Sequence, residues 1–309
     1  MTEQIAGPLE ERYVDPPHIA ARALLELVSC SAYGIRVDLR TPLGLLEHVP
    51  SPLIPVAQSE GSGTEQHVRF DFIETRSSEG RPVFVVAREG VRLFASSDVK
   101  VAARALESRV HLEVAALTDQ VVFVHAGVVA WRGRALILPG PSHSGKSFLV
   151  ASLVAAGATY YSDEYAVVDL EGGIRPFPRQ LRLRGASGQE SSAGSIAPAP
   201  NGAALETLQP AWIMNLRYRP DGVWAPKELT PGQTMLALLE NTVAVRRQSE
   251  LTLATLRLAV ENAMGWQSER GEAESATREI VRLMDADNRC KEANKEALEE
   301  ENVLHDEVL

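Results

Sequence analysis

At 309 residues, 45% hydrophobic and 23% charged, the chain suits one large soluble domain or two smaller ones. No apolar run approaches the roughly 20 residues of a membrane span, and Met1-Thr-Glu-Gln-Ile-Ala-Gly-Pro8 lacks the basic start and apolar core of a signal peptide, which predicts a cytoplasmic protein with no membrane partner. A net charge of −10 with no Lys/Arg cluster argues against a nucleic-acid groove, and Cys30 and Cys290, far apart and in no metal spacing, read as plain thiols.

The first part, residues 1–117, reads as an α+β region that could serve substrate binding or regulation. Pro17 to Leu27 is a helix candidate. Tyr33 to Leu39 alternates like a strand, Pro50 to Thr64 is a Pro/Ser/Gly-rich loop, and His67 to Ile73 alternates again. Pro82 to Ala87 and Val91 to Phe94 flank Arg88-Glu-Gly90 as a hairpin. Asp98 opens a helix of about twenty residues, with Val101, Ala105, Leu106 and Val110 at helical spacing.

The middle part, residues 118–284, carries the chemistry. Val121 to Val124, Gly127 to Ala130 and Ala135 to Leu138 are closely spaced apolar strands, the last two joined by the turn Trp131-Arg-Gly-Arg134. Tyr160 to Ser162 and Tyr165 to Leu170 are strands around Asp163-Glu164, and Ile174 to Leu183 returns as another strand. A hairpin directly after a helix departs from βαβ alternation and predicts a mixed sheet. Gly185 to Ala204, dense in Ser, Gly, Ala and Pro, reads as a lid-like loop. Ala211 to Tyr218 is a strand; Pro231 to Arg246, Glu250 to Met264 and Glu272 to Met284 are helices. Residues 285–309 form a tail with nine acids against three basic residues, read as a solvated helix or a mobile segment.

Between the strand Ala135 to Leu138 and the helix Phe148 to Ala156 stand Gly140, Pro141, Ser142, His143, Ser144, Gly145, Lys146 and Ser147, a complete G-x-x-x-x-G-K-S phosphate loop in the strand–loop–helix setting it requires. Loop amides and the helix N-terminus, reaching to Phe148, offer partial positive charge to a polyphosphate. Lys146 reaches the outer phosphates, and the Ser147 hydroxyl suits Mg²⁺. His143 occupies a loop position that is commonly glycine. Three polar groups outside the loop stand out: His125 at the end of an apolar strand run, the acidic pair Asp163-Glu164, and Arg179, Arg182 and Arg184 on one returning strand, read as sharing a face. Each also has a structural explanation, as a hydrogen-bonded histidine, a solvated turn and a solvent-facing strand. Phosphoryl transfer needs a cation cradle, a held Mg²⁺ and a group that orients or deprotonates the acceptor, and Asp163-Glu164 suits the last two.

Val124-His-Ala-Gly-Val-Val-Ala130, the loop Gly140 to Ser147 and Tyr161-Ser-Asp-Glu-Tyr-Ala-Val-Val-Asp169 resemble the catalytic core of HPr kinase/phosphorylase, with the same separations from His125 to Lys146 and from Lys146 to Asp163. Trp212-Ile-Met-Asn-Leu216 is similar to a late strand of that core, and Leu183-Arg-Gly185 faintly to its Arg-Gly signature. The resemblance covers roughly Thr118 to Leu216. It implies a phosphate loop in a mixed α/β sheet related to phosphoenolpyruvate carboxykinase. It also implies Asp163 as base on the acceptor hydroxyl, Glu164 as a second acid near the metal where the family usually has Asp, His125 near the transferred phosphate, and Lys146 and Ser147 as phosphate and metal ligands. The Gly-rich signature that follows Arg-Gly in true HPr kinases is replaced by Ala186-Ser-Gly-Gln-Glu190. The chain is therefore more similar to HPr-kinase-related proteins, some of which phosphorylate a peptide or small molecule, and by analogy with those relatives a homo-oligomer is expected.

The leading expectation is an ATP- and Mg²⁺-dependent kinase, with a hydroxyl of a peptide, protein or small molecule as acceptor. The catalytic residues would be Asp163, His125 and Lys146, with Ser147 and Glu164 on the metal. Two alternatives stay open: a nucleotide-sensing scaffold that transfers nothing, and a plain NTPase.

Overall fold

The computed structural model describes residues 25–54, 66–141, 144–177, 179, 181–184, 190–196 and 206–288. The chain divides into two compact units, Met1–Val121 and Val122–Leu309. Both mix helices with strands.

In the first unit, β1 (Leu25–Ala32), β2 (Ile35–Pro42), β3 (Gln66–Arg76), β4 (Pro82–Arg88) and β5 (Val91–Ser96) form a five-stranded sheet in chain order. Only β2 and β3 pair in parallel, and the short helix α1 (Leu43–Leu46) follows β2. Helix α2 (Val99–Leu117) packs on the sheet through Ala102, Leu106, Val110 and Val114. Asp98 caps it by accepting from the Lys100 and Val101 amides, 2.8 and 3.3 Å, which satisfies two otherwise orphaned donors. The hairpins β1–β2 and β4–β5 turn on Tyr33-Gly34 and Glu89-Gly90, all four at positive φ, the two-residue geometry that matches strand twist. Leu25 to Leu27, predicted as the end of a helix, belong to β1 instead, because eight consecutive residues pair in register with β2. The rest of that helix prediction, up to residue 24, lies outside the described residues.

The second unit contains β6 (Val121–Trp131), β7 (Arg134–Pro139), α3 (Lys146–Ala155), β8 (Thr159–Ser162), β9 (Tyr165–Asp169), β10 (Ile174–Arg175), β11 (Leu181–Arg184), β12 (Glu190–Ile196), β13 (Pro210–Tyr218), β14 (Lys227–Leu229), α4 (Pro231–Leu239), α5 (Ser249–Glu261) and β15 (Met264–Arg270). A final helix, α6, runs over 273–288. The main sheet has the order β10-β9-β6-β7-β13-β15-β14, with β8 also paired to β6. It is mixed: β6 and β7 are antiparallel, β7, β13 and β15 are parallel, and β14 is antiparallel to β15. Leu149, Val150 and Leu153 of α3 and Ala276, Ile280 and Met284 of α6 pack with Leu136, Leu138, Trp212 and Met214. Leu238 of α4 and Leu256, Ala259 and Val260 of α5 pack with Val128, Ile137 and Ile213. Side chains of opposite parity along each strand thus feed two separate cores, which is why these strands read as continuous apolar runs.

Several sequence expectations change here. Val121 to Trp131 is one strand, because β8, β9 and β7 all pair along it and carry it through His125 and Ala126. The hairpin expected after the helix forms between β9 and β10, and β8 and β9 both lie along β6. Ile174 to Leu183 splits into β10 and β11, and part of the predicted lid is β12, paired with β11. The helix expected to end at Met264 stops at Glu261, and Met264 starts β15, whose parallel pairing with β13 overrides weak strand propensity. Helix α6 extends four residues into the predicted acidic tail. Trp131 Nε1 donates to Asp285 Oδ1 (2.9 Å) and Trp212 Nε1 to Asp287 Oδ2 (3.0 Å), so these two acids tie α6 down. Residues 289–309 lie outside the described set. No helix among the described residues is long and apolar enough to cross a membrane.

Candidate active site

The glycine-bounded loop that opens at Gly140 leaves the sheet where β7 ends. The Gly140 amide donates to the His125 carbonyl (3.2 Å), the Ser144 amide to the Pro141 carbonyl (3.3 Å), and α3 begins at Lys146. Gly145 caps α3 at φ +80°, a conformation that suits glycine. A Cβ there would also lie 2.7 Å from Arg270 Nη2. A second close approach fixes Gly127 of β6: a Cβ would meet Val150 Cγ2 at 2.6 Å, so α3 can lie against the sheet only over glycine. Lys146, 9% exposed, donates from Nζ to the carbonyls of Gly140 and Pro141, both at 2.7 Å. Burial pushes its ammonium down to about 8, against the pull of Asp163 and Glu164. Phe148 is exposed on the first turn of α3. Ser142 and His143 lie outside the described residues.

Sheet register brings the acidic pair to this loop. Asp163 and Glu164 occupy the break between β8 and β9, abreast of His125: the Ala126 amide donates to the Glu164 carbonyl (3.1 Å). His125 therefore has the first loop residue on one edge of β6 and the acidic pair on the other. Its ring lies 5.3 Å from that of Tyr165. Burial first, and the Lys146 ammonium second, push the imidazole below its ordinary value, so it is neutral at pH 7.

Asp163 is 5% exposed and fully engaged. Its Oδ2 accepts from Ser147 Oγ (2.9 Å), and its Oδ1 accepts from the Tyr160 hydroxyl (3.0 Å) and Arg179 Nε (3.3 Å). Burial, with the Asp163 charge second, raises Tyr160, which keeps it a donor. Arg179 also forms an ion pair with Glu164 through Nη1 and Oε2. The sequence pattern put Arg179 on a strand with Arg182 and Arg184. It lies instead in a tight turn, its amide donating to the Phe177 carbonyl (3.0 Å). Phe177 is buried and meets Phe123 and Tyr165 edge-to-face, and its amide donates to the Tyr161 carbonyl (3.2 Å).

Arg270 carried no sequence signal, because Gly265 to Arg270 fell between two predicted helices. It is 3% exposed, donating from Nη2 to the carbonyls of Ser144 (3.3 Å) and Gly145 (3.0 Å) and from Nη1 to that of Gly271 (3.1 Å). Its guanidinium stacks 5.2 Å from the Tyr218 ring centre. These bonds hold two loop carbonyls turned toward Arg270.

Among the described residues no group of three or more His, Cys, Asp or Glu is arranged to hold a metal. Mg²⁺ does not need one: it takes one or two carboxylates together with substrate phosphates and water. Ser147 Oγ, Asp163 and Glu164 are hard oxygen donors beside the loop and fit that pattern. Set against family models and curated proteins, the chain matches none.

Proposed function

We propose that the protein is an ATP- and Mg²⁺-dependent kinase, similar to HPr kinase/phosphorylase in its phosphate-loop core, that phosphorylates a hydroxyl of a peptide, protein or small molecule. The observation that carries this reading is the hydrogen bond from Ser147 Oγ to Asp163 Oδ2, which joins the phosphate loop to the acidic pair. A solvated turn would have no reason to bury an aspartate on a phosphate-loop hydroxyl.

The loop amides and Lys146 bind the polyphosphate, Lys146 exchanging its bonds to the Gly140 and Pro141 carbonyls for phosphate oxygens. Ser147, donating its proton to Asp163, keeps its lone pairs for Mg²⁺. The metal, when bound, neutralises charge on the β- and γ-phosphates. The geometry favours exchanging the roles expected of the two acids. With Ser147, Tyr160 and Arg179 on its two oxygens, Asp163 is a fixed partner of the metal-binding hydroxyl. Glu164 is the better base: it accepts the acceptor hydroxyl proton as the acceptor oxygen bonds the γ-phosphorus and the bond to the β–γ bridging oxygen breaks, leaving ADP. Neutral His125 can donate a hydrogen bond to the moving phosphoryl group without adding charge.

Transfer from labelled ATP to candidate acceptors tests this. Glu164→Gln should lower transfer by about 10²–10⁴-fold while Mg·ATP still binds. Asp163→Asn should chiefly weaken Mg²⁺-dependent binding. Wild-type transfer by Glu164→Gln would return the base role to Asp163. ATP binding by the wild type with neither transfer nor hydrolysis would favour the sensing scaffold, and hydrolysis that no acceptor diverts would favour the plain NTPase.

A further inference from the structure

In the steps above Arg179 only helps to hold Asp163, yet it pairs with both acids. Its side chain is 20% exposed, against 2% for Asp163 and 14% for Glu164, so the three charges share a poorly hydrated space. The guanidinium stands one carboxylate away from the Ser147 hydroxyl: Nε is 3.3 Å from Asp163 Oδ1, and Oδ2 of the same group is 2.9 Å from Ser147 Oγ. In a phosphate loop that hydroxyl sits beside the β- and γ-phosphates. The backbone is built to aim the side chain there. Phe177 is anchored among Phe123 and Tyr165, and the turn that follows directs Arg179 back to the acidic pair.

We infer that Arg179 reads the terminal phosphate of the nucleotide, exchanging Glu164 for the γ-phosphate, so that the site discriminates triphosphate from diphosphate and Glu164 is released only beside a triphosphate. This rests on the nucleotide-binding part of the proposed function, not on transfer. The charges favour the exchange. A guanidinium fork matches the oxygens of a phosphate as well as those of a carboxylate. A divalent cation beside Asp163 and Glu164 would repel a guanidinium held on the same two acids, whereas a γ-phosphate offers it a new anion. A diphosphate brings no such anion within the loop's outer end, so Arg179 keeps Glu164. The exchange also couples sensing to chemistry: Oε2 of Glu164 is engaged while Arg179 holds it and accepts a proton only once Arg179 has moved.

Equilibrium binding of Mg·ATP and Mg·ADP to the full chain tests this, on wild type, Arg179→Gln and Arg179→Lys, with circular dichroism as the check on folding. The wild type should prefer Mg·ATP by about tenfold or more, the worth of a charge-assisted phosphate contact. Arg179→Gln should lose roughly that factor for Mg·ATP, change Mg·ADP by less than about threefold, and so lose the preference. Arg179→Lys, which keeps the charge without the fork, should retain part of it. If the Gln variant does not fold, the Lys variant decides, because an unchanged preference there overturns the inference. So does a Gln variant that keeps its preference, or one that weakens both nucleotides equally, which marks Arg179 as structural. A wild type that binds neither nucleotide overturns the phosphate-loop reading itself, and a wild type that binds both equally overturns only the role of Arg179.

Discussion

Asp38 in the first unit and Asp163 in the second each bury a carboxylate that takes a serine hydroxyl and an arginine. Ser29 Oγ donates to Asp38 Oδ1 (2.6 Å), Arg36 Nε donates to the same oxygen (3.2 Å), and His67 Nε2 lies 2.6 Å from Oδ2. By inventory, serine, histidine and aspartate, the Asp38 cluster resembles a catalytic one more closely. Its placement argues otherwise. Ser29, Asp38 and His67 are cross-strand neighbours on β1, β2 and β3, on one face of a regular sheet, and the serine and histidine address the aspartate, not each other. Asp163 sits where regular structure is interrupted: at a break between strands, beside a glycine-bounded loop, a turn and a buried lysine. A buried carboxylate with partners is a common device for satisfying a polar group. A glycine-bounded loop that sets a buried lysine with a lowered pKa beside the carboxylate is what separates a candidate site from a brace.

The sharpest way to break that contrast is Lys146→Met. If the second cluster is a phosphate site, removing its buried ammonium should lower nucleotide-dependent activity by about 10³-fold, the order seen for loss of a preorganised charge donor. Thermal unfolding should barely move, because a methionine fills the same space without a buried charge. Activity within threefold of wild type would reduce Asp163 to the same standing as Asp38.

Arg270→Met sharpens the contrast from behind the loop. Arg270 touches only carbonyls there, so its effect on nucleotide should come through the loop's shape. Losing two bonds to loop carbonyls, at about 0.5–1.5 kcal/mol each, should weaken Mg·ATP and Mg·ADP alike by roughly 30-fold. Arg270→Lys should recover part of that. Selective loss of one nucleotide would show that Arg270 acts on phosphate directly.

These residues differ in how far the sequence disclosed them. The loop was legible because its chemistry is local: eight consecutive residues between a strand and a helix. The Glu89-Gly90 and Arg132-Gly133 turns were legible for the same reason, and both are two-residue hairpins with positive φ throughout. The convergence of His125, Gly140 and Glu164 was not readable from spacing alone, since it depends on β6 pairing with β7 on one edge and with β8 and β9 on the other. Arg270 was hidden because Met264-Gly-Trp-Gln-Ser-Glu-Arg270 lacks alternation and becomes a strand only by lying parallel to β13. Arg179 stands out in the sequence only as one of three arginines on a predicted strand, whereas the turn at Phe177 sets where it points.

Asp38→Asn tests the other half of the contrast. Donation from Ser29 first, with His67 and Arg36 adding to it against the cost of burial, holds the Asp38 carboxyl down at about 2. A carboxyl lowered by folding contributes stability that is present above its ordinary value near 4 and lost as pH falls toward 2. The variant should lose about 2 kcal/mol at pH 7, as hydrogen bonds to a charge are removed. It should also flatten the acid limb of the stability curve over that window. Mg·ATP affinity should stay within twofold, and a larger change would make the first cluster part of the functional machinery.

The smallest effect is a pH dependence of nucleotide affinity, which only the second cluster should show. Lys146 loses its proton near pH 8 in the free protein. A polyphosphate laid against the ammonium holds that proton, so binding above pH 8 takes one up, and affinity falls by at most about tenfold per pH unit. Below pH 8 this group contributes no slope. Folding stability responds with the opposite sign. Between about 8 and the ordinary lysine value the unfolded chain carries more protons than the folded one, so this residue's contribution to stability rises with pH while nucleotide affinity falls. Isothermal titration of Mg·ATP from pH 7 to 9.5, on wild type and Lys146→Met, isolates the term, since the variant should lose the slope together with most of the affinity. A wild-type profile flat across pH 8 would mean that the Lys146 ammonium does not face the phosphates, and the buried lysine would then be one more brace of the kind that surrounds Asp38.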